Sequence, residues 1–232
     1  RGPHGMTPRS DAKGRGRGSR VDRVEAAIRE KILAGTYPPG ARLILSKLAV
    51  EHGVSFIPVR EALQRLEGER LVTIEQNRGA RVADISIADM RDIYETRVVL
   101  ERHAVELAIP KLTEDDLGVA AAALDRMEER FAADRQAEAY QAHQDFHFAL
   151  YEPAGSPWTM HIIRQLWAAA ERYVRLAAGV RPAPDLFVAE HRRIFDAVQR
   201  RDVDEAVDYL IANLRTTEQL LSENYGSMPL RV

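Results

Sequence analysis

The sequence predicts a mainly α-helical protein in two parts: an N-terminal helix-turn-helix carrying a β-hairpin wing, then an antiparallel bundle of six or seven helices. Three observations predict this. Apolar residues recur at three- and four-residue spacing along almost the whole chain after Val21, the mark of helices with one buried face. Between Val21 and Val82, Gly- and Pro-containing turns break that spacing into short pieces, which end in two runs of strand-forming residues. Charge divides at the same place, because residues 1–82 hold 16 Lys and Arg against 9 Asp and Glu, whereas the rest of the chain holds 17 against 26. The net charge of −2 conceals this asymmetry. A basic first part suits a phosphate backbone, and an acidic second part is repelled from one.

Composition narrows the classes further. A chain of 232 residues is long enough for two domains, and 45% hydrophobic with 29% charged residues is ordinary for a protein that buries real cores. The absence of cysteine excludes disulfides and thiolate metal sites and fits a reducing compartment. No apolar run approaches the ~20 residues that cross a bilayer, so a cytoplasmic protein without a membrane partner is expected.

Residues 1–20, rich in Gly, Arg and Pro, are expected to be a disordered leader, and the five residues before Met6 read as a cloning remnant. The first helix carries Val24, Ile28, Ile32 and Leu33 and stops at Gly35, and Tyr37-Pro38-Pro39-Gly40 makes a rigid turn. A second short helix is expected behind Ser46 as N-cap, with Leu48, Ala49 and Val50, closing at His52-Gly53. Ser55 can cap a third helix that has Pro58 in its first turn and Val59, Ala62, Leu63 and Leu66 on its apolar side. Leu71 to Ile74 and Ala80 to Val82 flank a turn ending in Gly79, a β-hairpin. The winged unit is thus expected over 21–84, a helical domain over 85–225 and a tail over 226–232. Ser86 opens the helical domain, and later helices are expected at about Glu114 to Ala133, Ala137 to Glu152, Trp158 to Ala178, Pro184 to Arg200 and Val203 to Asn224.

His143 and His147 are i and i+4, so both imidazoles lie on one helix face, an arrangement suited to a single divalent ion. The bland alternative is a hydrogen-bonded polar patch. Arg97 lies four residues before Glu101, with which it can pair.

The anchors Ile32-Leu-Ala-Gly-Thr-Tyr-Pro-Pro-Gly-Ala-Arg-Leu43, Gly53-Val-Ser55, Pro58-Val-Arg-Glu-Ala-Leu-Gln-Arg-Leu66 and Arg78-Gly-Ala-Arg-Val82 resemble the DNA-binding domain of the GntR family. The stretches Phe146 to Gly155, Glu190 to Val198 and Asp202 to Ala206 resemble the ligand-sensing FCD domain of its FadR subfamily. The resemblance implies that the third helix reads the major groove. In that reading Arg60 forks to guanine, Ser55 meets phosphate, Arg65 lies on the same DNA-contacting helix, and Arg78 with Gly79 forms the wing tip. Where the family carries Arg and a small residue, this chain has Phe56 and Ile57. They either touch a thymine methyl or, for Phe56, pack beneath the wing.

For the second domain, the resemblance implies a metal held by an Asp and three His. The aligned positions here are His143, His147, His191 and Asn213, two of which depart from that pattern. Three imidazoles still suffice for zinc or nickel and leave open positions for an anion. The resemblance places Arg97 where an arginine faces an effector carboxylate, and Tyr173 and Arg175 are further candidates for lining the pocket. It therefore implies a homodimeric repressor of a palindromic double-stranded DNA operator, controlled by a small organic acid. Two other readings are a dimeric DNA-binding scaffold without metal, and a metal hydrolase. The hydrolase needs a general base, for which Asp145 is on the wrong helical face and Glu190 is the remaining choice.

Overall fold

A computed structural model describes residues 12–75, 79–178 and 184–225. The chain divides into two compact units, Arg1–Ile85 and Ser86–Val232.

The first unit contains α1 (Ala12–Leu33), β1 (Arg42–Leu43), α2 (Leu45–His52), α3 (Phe56–Gly68), β2 (Val72–Glu75) and β3 (Gly79–Val82). Its core joins Val21, Val24, Ile28 and Ile32 of α1 to Leu48 of α2 and to Val59, Ala62, Leu63 and Leu66 of α3. Sheet residues Leu43, Val72 and Val82, with Leu71 just before β2, close it from the side. The spacing on α1 and α3 is that of one helix face, so burying the apolar stripes fixes how the helices cross. Gly53 ends α2 at φ 61°, and its N–H bonds the carbonyls of Ala49 and Val50, which turns the chain directly into α3.

Three features differ from the sequence expectation. The first helix starts at Ala12, ahead of Val21, so part of the expected disordered leader is helical. No proline interrupts Ala12 to Arg20, so a helix nucleated on buried Val21 and Val24 can propagate back through them without a new nucleation step, although each glycine weakens it by ~1 kcal/mol relative to alanine. Residues 1–11 and the tail 226–232 lie outside the described residues. The second helix is preceded by Ile44 instead of Ser46, with no side-chain cap. Its start is fixed by the backbone: Ile44 is extended, and its carbonyl accepts from Leu48 N at 3.0 Å. Finally, Arg42–Leu43 adds a strand to the hairpin, giving the antiparallel order β1-β3-β2 with Arg42 opposite Arg81. Two residues are too few to show a period of two.

Six helices of the second unit are described: α4 (Ile87–Ala108), α5 (Glu114–Ala132), α6 (Gln136–Tyr151), α7 (Pro157–Ala178), α8 (Pro184–Gln199) and α9 (Val203–Tyr225). Short 3-10 turns follow α4 and α6. Ser86 caps α4 by accepting from Asp89 N at 3.1 Å, and Thr113 with Asp116 makes a reciprocal capping box at α5. The α4 helix packs on α9, α7 and α6, and α8 packs on α9 and α5. On α4 the buried stripe runs Met90, Ile93, Tyr94, Arg97, Glu101, Ala104, Val105 and Ala108, so two charged side chains face the core.

Candidate DNA-reading surface and histidine site

Gly53 sets the start of α3, where Ser55 is extended (φ −75°, ψ 172°) and makes no side-chain cap, so its hydroxyl stays available. Pro58 and Val59 turn inward, while Ser55, Phe56, Ile57 and Arg60 are exposed together on the first turns. Phe56 is 54% exposed and Ile57 55%, so Phe56 is not enclosed by the described part of the wing. Two exposed apolar side chains beside an arginine form a surface that can meet thymine methyls and a guanine edge. Arg65 is not part of it. Five residues carry the helix ~140° beyond Arg60, and the Arg65 guanidinium instead pairs with Asp22 at 2.9 Å and Glu25 at 3.0 Å on α1. Gly79 is exposed with φ 86° and open space around it, so backbone conformation, not crowding, calls for glycine there. Arg78 lies outside the described residues.

In the second unit α6 and α8 bring His143, His147 and His191 together, all buried, with one ligand atom from each lying within 4.8 Å of the others. The His147–His191 ring centroids are 5.0 Å apart and the His143–His191 centroids 4.7 Å. His191 Nδ1 is 2.6 Å from the Phe187 carbonyl oxygen. A carbonyl only accepts, so Nδ1 carries the proton and Nε2 the lone pair. His147 Nδ1 lies 2.9 Å from the Tyr151 hydroxyl, and its Nε2 is buried without a hydrogen-bond partner. Burial, then the neighbouring His191 and Arg97, hold the His147 pKa well below the usual imidazole value, so the ring is neutral and able to ligate. A buried lone pair beside two further imidazoles fits a divalent cation of the zinc or nickel type.

Asn213 of α9 lines a cavity of about 10 Å³ with Tyr94, Arg97, His143 and Phe187, room for one water. Its amide nitrogen donates to Glu190 Oε2 at 2.8 Å, which fixes the orientation of the amide. Arg97 is buried, its Nε 2.6 Å from Glu101 Oε1 and its guanidinium over the Trp167 ring at 4.3 Å. The alternative pairing with Glu101 is therefore real, but it is buried and not at the surface.

The other two pocket candidates are placed elsewhere. Tyr173 donates from its hydroxyl toward Ser86 O and Asp89 Oδ2, both at 3.1 Å, at the start of α4. Arg175 pairs with Glu171 at 2.9 Å and lies over Tyr140. Neither is among the residues lining the cavity. Val174, between them on α7, does line it, so the two flanking side chains leave the helix on other faces. Asp145 points away from the histidines, toward Arg126 and Gln141.

Sequence reasoning missed Glu101, Tyr151 and Trp167 as parts of the site. Two signals were present: Tyr151 continues the i, i+4 series His143–His147, and Glu101 is a charged residue on an otherwise apolar stripe. A larger groove of about 340 Å³ lies between α5 and α8, lined by Glu128, Phe131, Val188 and Arg192. Its arginine is already paired with Glu128.

Comparison with known proteins agrees with this architecture. Residues 20–82 match the family model of bacterial regulatory proteins of the gntR family, and residues 92–216 match the FCD domain. The HTH-type transcriptional regulator BphR of Paraburkholderia xenovorans is 31% identical over 210 residues, 86% of this chain and 84% of that protein. The HTH-type transcriptional repressor GlaR of Escherichia coli is 28% identical over 84% of this chain and 93% of its own length. Among solved structures, a GntR regulator from Rhodococcus sp. RHA1 superposes with TM-score 0.74 at 30% identity, covering 89% of this chain and 99% of that one. E. coli McbR/YncC shares the fold, with TM-score 0.75 at 23% identity over 89% of this chain and 98% of that one. These families and relatives are DNA-binding transcription regulators and not enzymes, and the chain belongs with them: it is a transcriptional regulator of the GntR family with a C-terminal FCD domain.

Proposed function

We propose that the protein is a dimeric, cytoplasmic repressor whose operator affinity is controlled by a small carboxylate bound at a metal-containing site in the helical unit. The observation that carries the reading is the convergence of three buried imidazoles within 4.8 Å, one with an unpartnered Nε2. His143, His147 and His191 would hold zinc or nickel, with Asn213 beside them as a weaker oxygen donor. Such a cation supplies Lewis acidity and open coordination positions for an anion.

Charge supports a carboxylate as the partner. Three neutral imidazoles leave a bound dication uncompensated, and Glu101, the carboxylate that is fully buried among the described residues, is already paired with Arg97. At the DNA, Arg60 would read guanine, Ser55 a phosphate, and exposed Phe56 and Ile57 thymine methyls. A two-fold dimer reads a palindrome, and an effector that favours a different spacing of the reading helices lowers affinity for it. Repression as the direction of control is supported by GlaR, which carries the name repressor.

Elemental analysis with native mass spectrometry on protein purified without chelator, followed by operator binding against a panel of organic acids, tests the reading. The expected result is a dimer carrying one zinc or nickel per chain whose operator affinity falls with one of the acids. A metal-free chain after zinc and nickel supply, or an operator affinity that responds only to neutral or cationic compounds, overturns it.

A further inference from the structure

A buried chain of hydrogen bonds holds the histidine cluster from behind. The Tyr151 hydroxyl lies between His147 Nδ1 at 2.9 Å and Glu101 Oε2 at 2.6 Å. Glu101 Oε1 accepts from Arg97 Nε at 2.6 Å and from Trp167 Nε1 at 3.0 Å. His147, Tyr151, Glu101, Arg97 and Trp167 are all buried.

Counting protons fixes the direction of the chain. Arginine and tryptophan side chains only donate, and a tyrosine hydroxyl has one proton. With three donors converging on Glu101, the Tyr151 proton points at Oε2. The hydroxyl can then meet His147 only as an acceptor, so Nδ1 of the neutral ring must carry the proton. The lone pair is left on Nε2, the atom that is buried without a hydrogen-bond partner. The opposite tautomer would aim an N–H at the cluster and could not ligate.

We propose that Glu101 and Tyr151 are positioning residues of the histidine site: Glu101 takes the Tyr151 proton, Tyr151 accepts from His147 Nδ1, and the Nε2 lone pair is thereby held ready for a divalent cation. The inference rests on reading the cluster as a metal site, but the proton placement can be measured without metal. Outer partners of this kind hold ring orientation and ligand basicity, and losing one costs about 10–100-fold in metal affinity.

The test uses the full chain, 15N-labelled and stripped with chelator, with the His147 ring signals identified by their loss in His147→Gln. Long-range proton–nitrogen correlation is expected to show one neutral tautomer, protonated at Nδ1. In Tyr151→Phe the ring is expected to become a mixture of tautomers and the zinc dissociation constant to rise about 10–100-fold. Tyr209→Phe, whose half-buried hydroxyl bonds Glu205 within α9, should change neither. A wild-type ring protonated at Nε2 overturns the proposal, and that measurement needs no variant to fold. So does a folded Tyr151→Phe chain that keeps both tautomer and zinc affinity. A wild-type ring protonated at Nδ1 in a chain that takes up no zinc supports the proton placement and overturns the metal reading alone.

Discussion

Arg60 and Arg97 show how burial decides what an arginine does. Arg60 is exposed beside Phe56 and Ile57, where a planar fork is free to meet a base edge. Arg60→Ala is expected to lose about 1–3 kcal/mol of discrimination for its operator base pair. Its melting temperature should be unchanged, because no core contact is removed. Fluorescence anisotropy on the operator and on a substituted site, beside a thermal melt, checks both; an unchanged preference would remove Arg60 from the reading surface. Arg97 is the opposite case, since its partner Glu101 is fully buried. Arg97→Ala strands a carboxylate inside the bundle and is expected to cost about 3–5 kcal/mol of stability, whether or not an effector is present. Denaturant unfolding measures it, and a loss near zero would mean that the pair is not closed in solution.

At the scale of elements, much was readable because helices announce themselves through period. Five of the six helices of the second unit begin and end within about two residues of their expected places, and α4 begins where Ser86 marks it, while its end at Ala108 was not foreseen. The i, i+4 spacing placed His143 and His147 on one face, and α8 carries His191 to them. What could not be read depended on rotation between elements. Arg65 is on the same helix as Arg60 but faces α1, and Tyr173 is on the same helix as Trp167 but reaches Ser86. Spacing along one helix does not say which neighbour each face meets. The turn at Gly53 was legible, and its role is testable. Gly53→Ala puts a Cβ on a residue at φ 61°, which is expected to cost about 1 kcal/mol and to loosen the α2–α3 geometry that presents Arg60. A thermal melt with operator titration should show both losses. Full retention of both would mean that the left-handed turn is not required.

For the whole molecule, the size of the cavity beside His143 constrains how any acid can act there. A space of about 10 Å³ holds one water, and a carboxylate metabolite of several atoms needs many times that. An acid that binds here must therefore select a more open arrangement, and its observed affinity is its intrinsic affinity reduced by the fraction of molecules already open. Phe187 is a side chain whose removal makes room there: it is 5% exposed, lines the cavity, and its ring centroid lies 4.9 Å from that of His143 and 4.5 Å from that of His191. The bond it gives to His191 comes from the backbone carbonyl, so truncating the side chain leaves that bond in place. Phe187→Ala is expected to lower stability by about 3–5 kcal/mol through the cavity it opens. It should also bind the acid more tightly than wild type, about tenfold for each 1.4 kcal/mol of opening that no longer has to be supplied by the ligand. Calorimetric titration of zinc-loaded wild type and variant with the same acid, beside their melting curves, separates the two effects. A folded variant that binds the acid no better, or worse, would show that the acid makes its room elsewhere and that this cavity is not its seat.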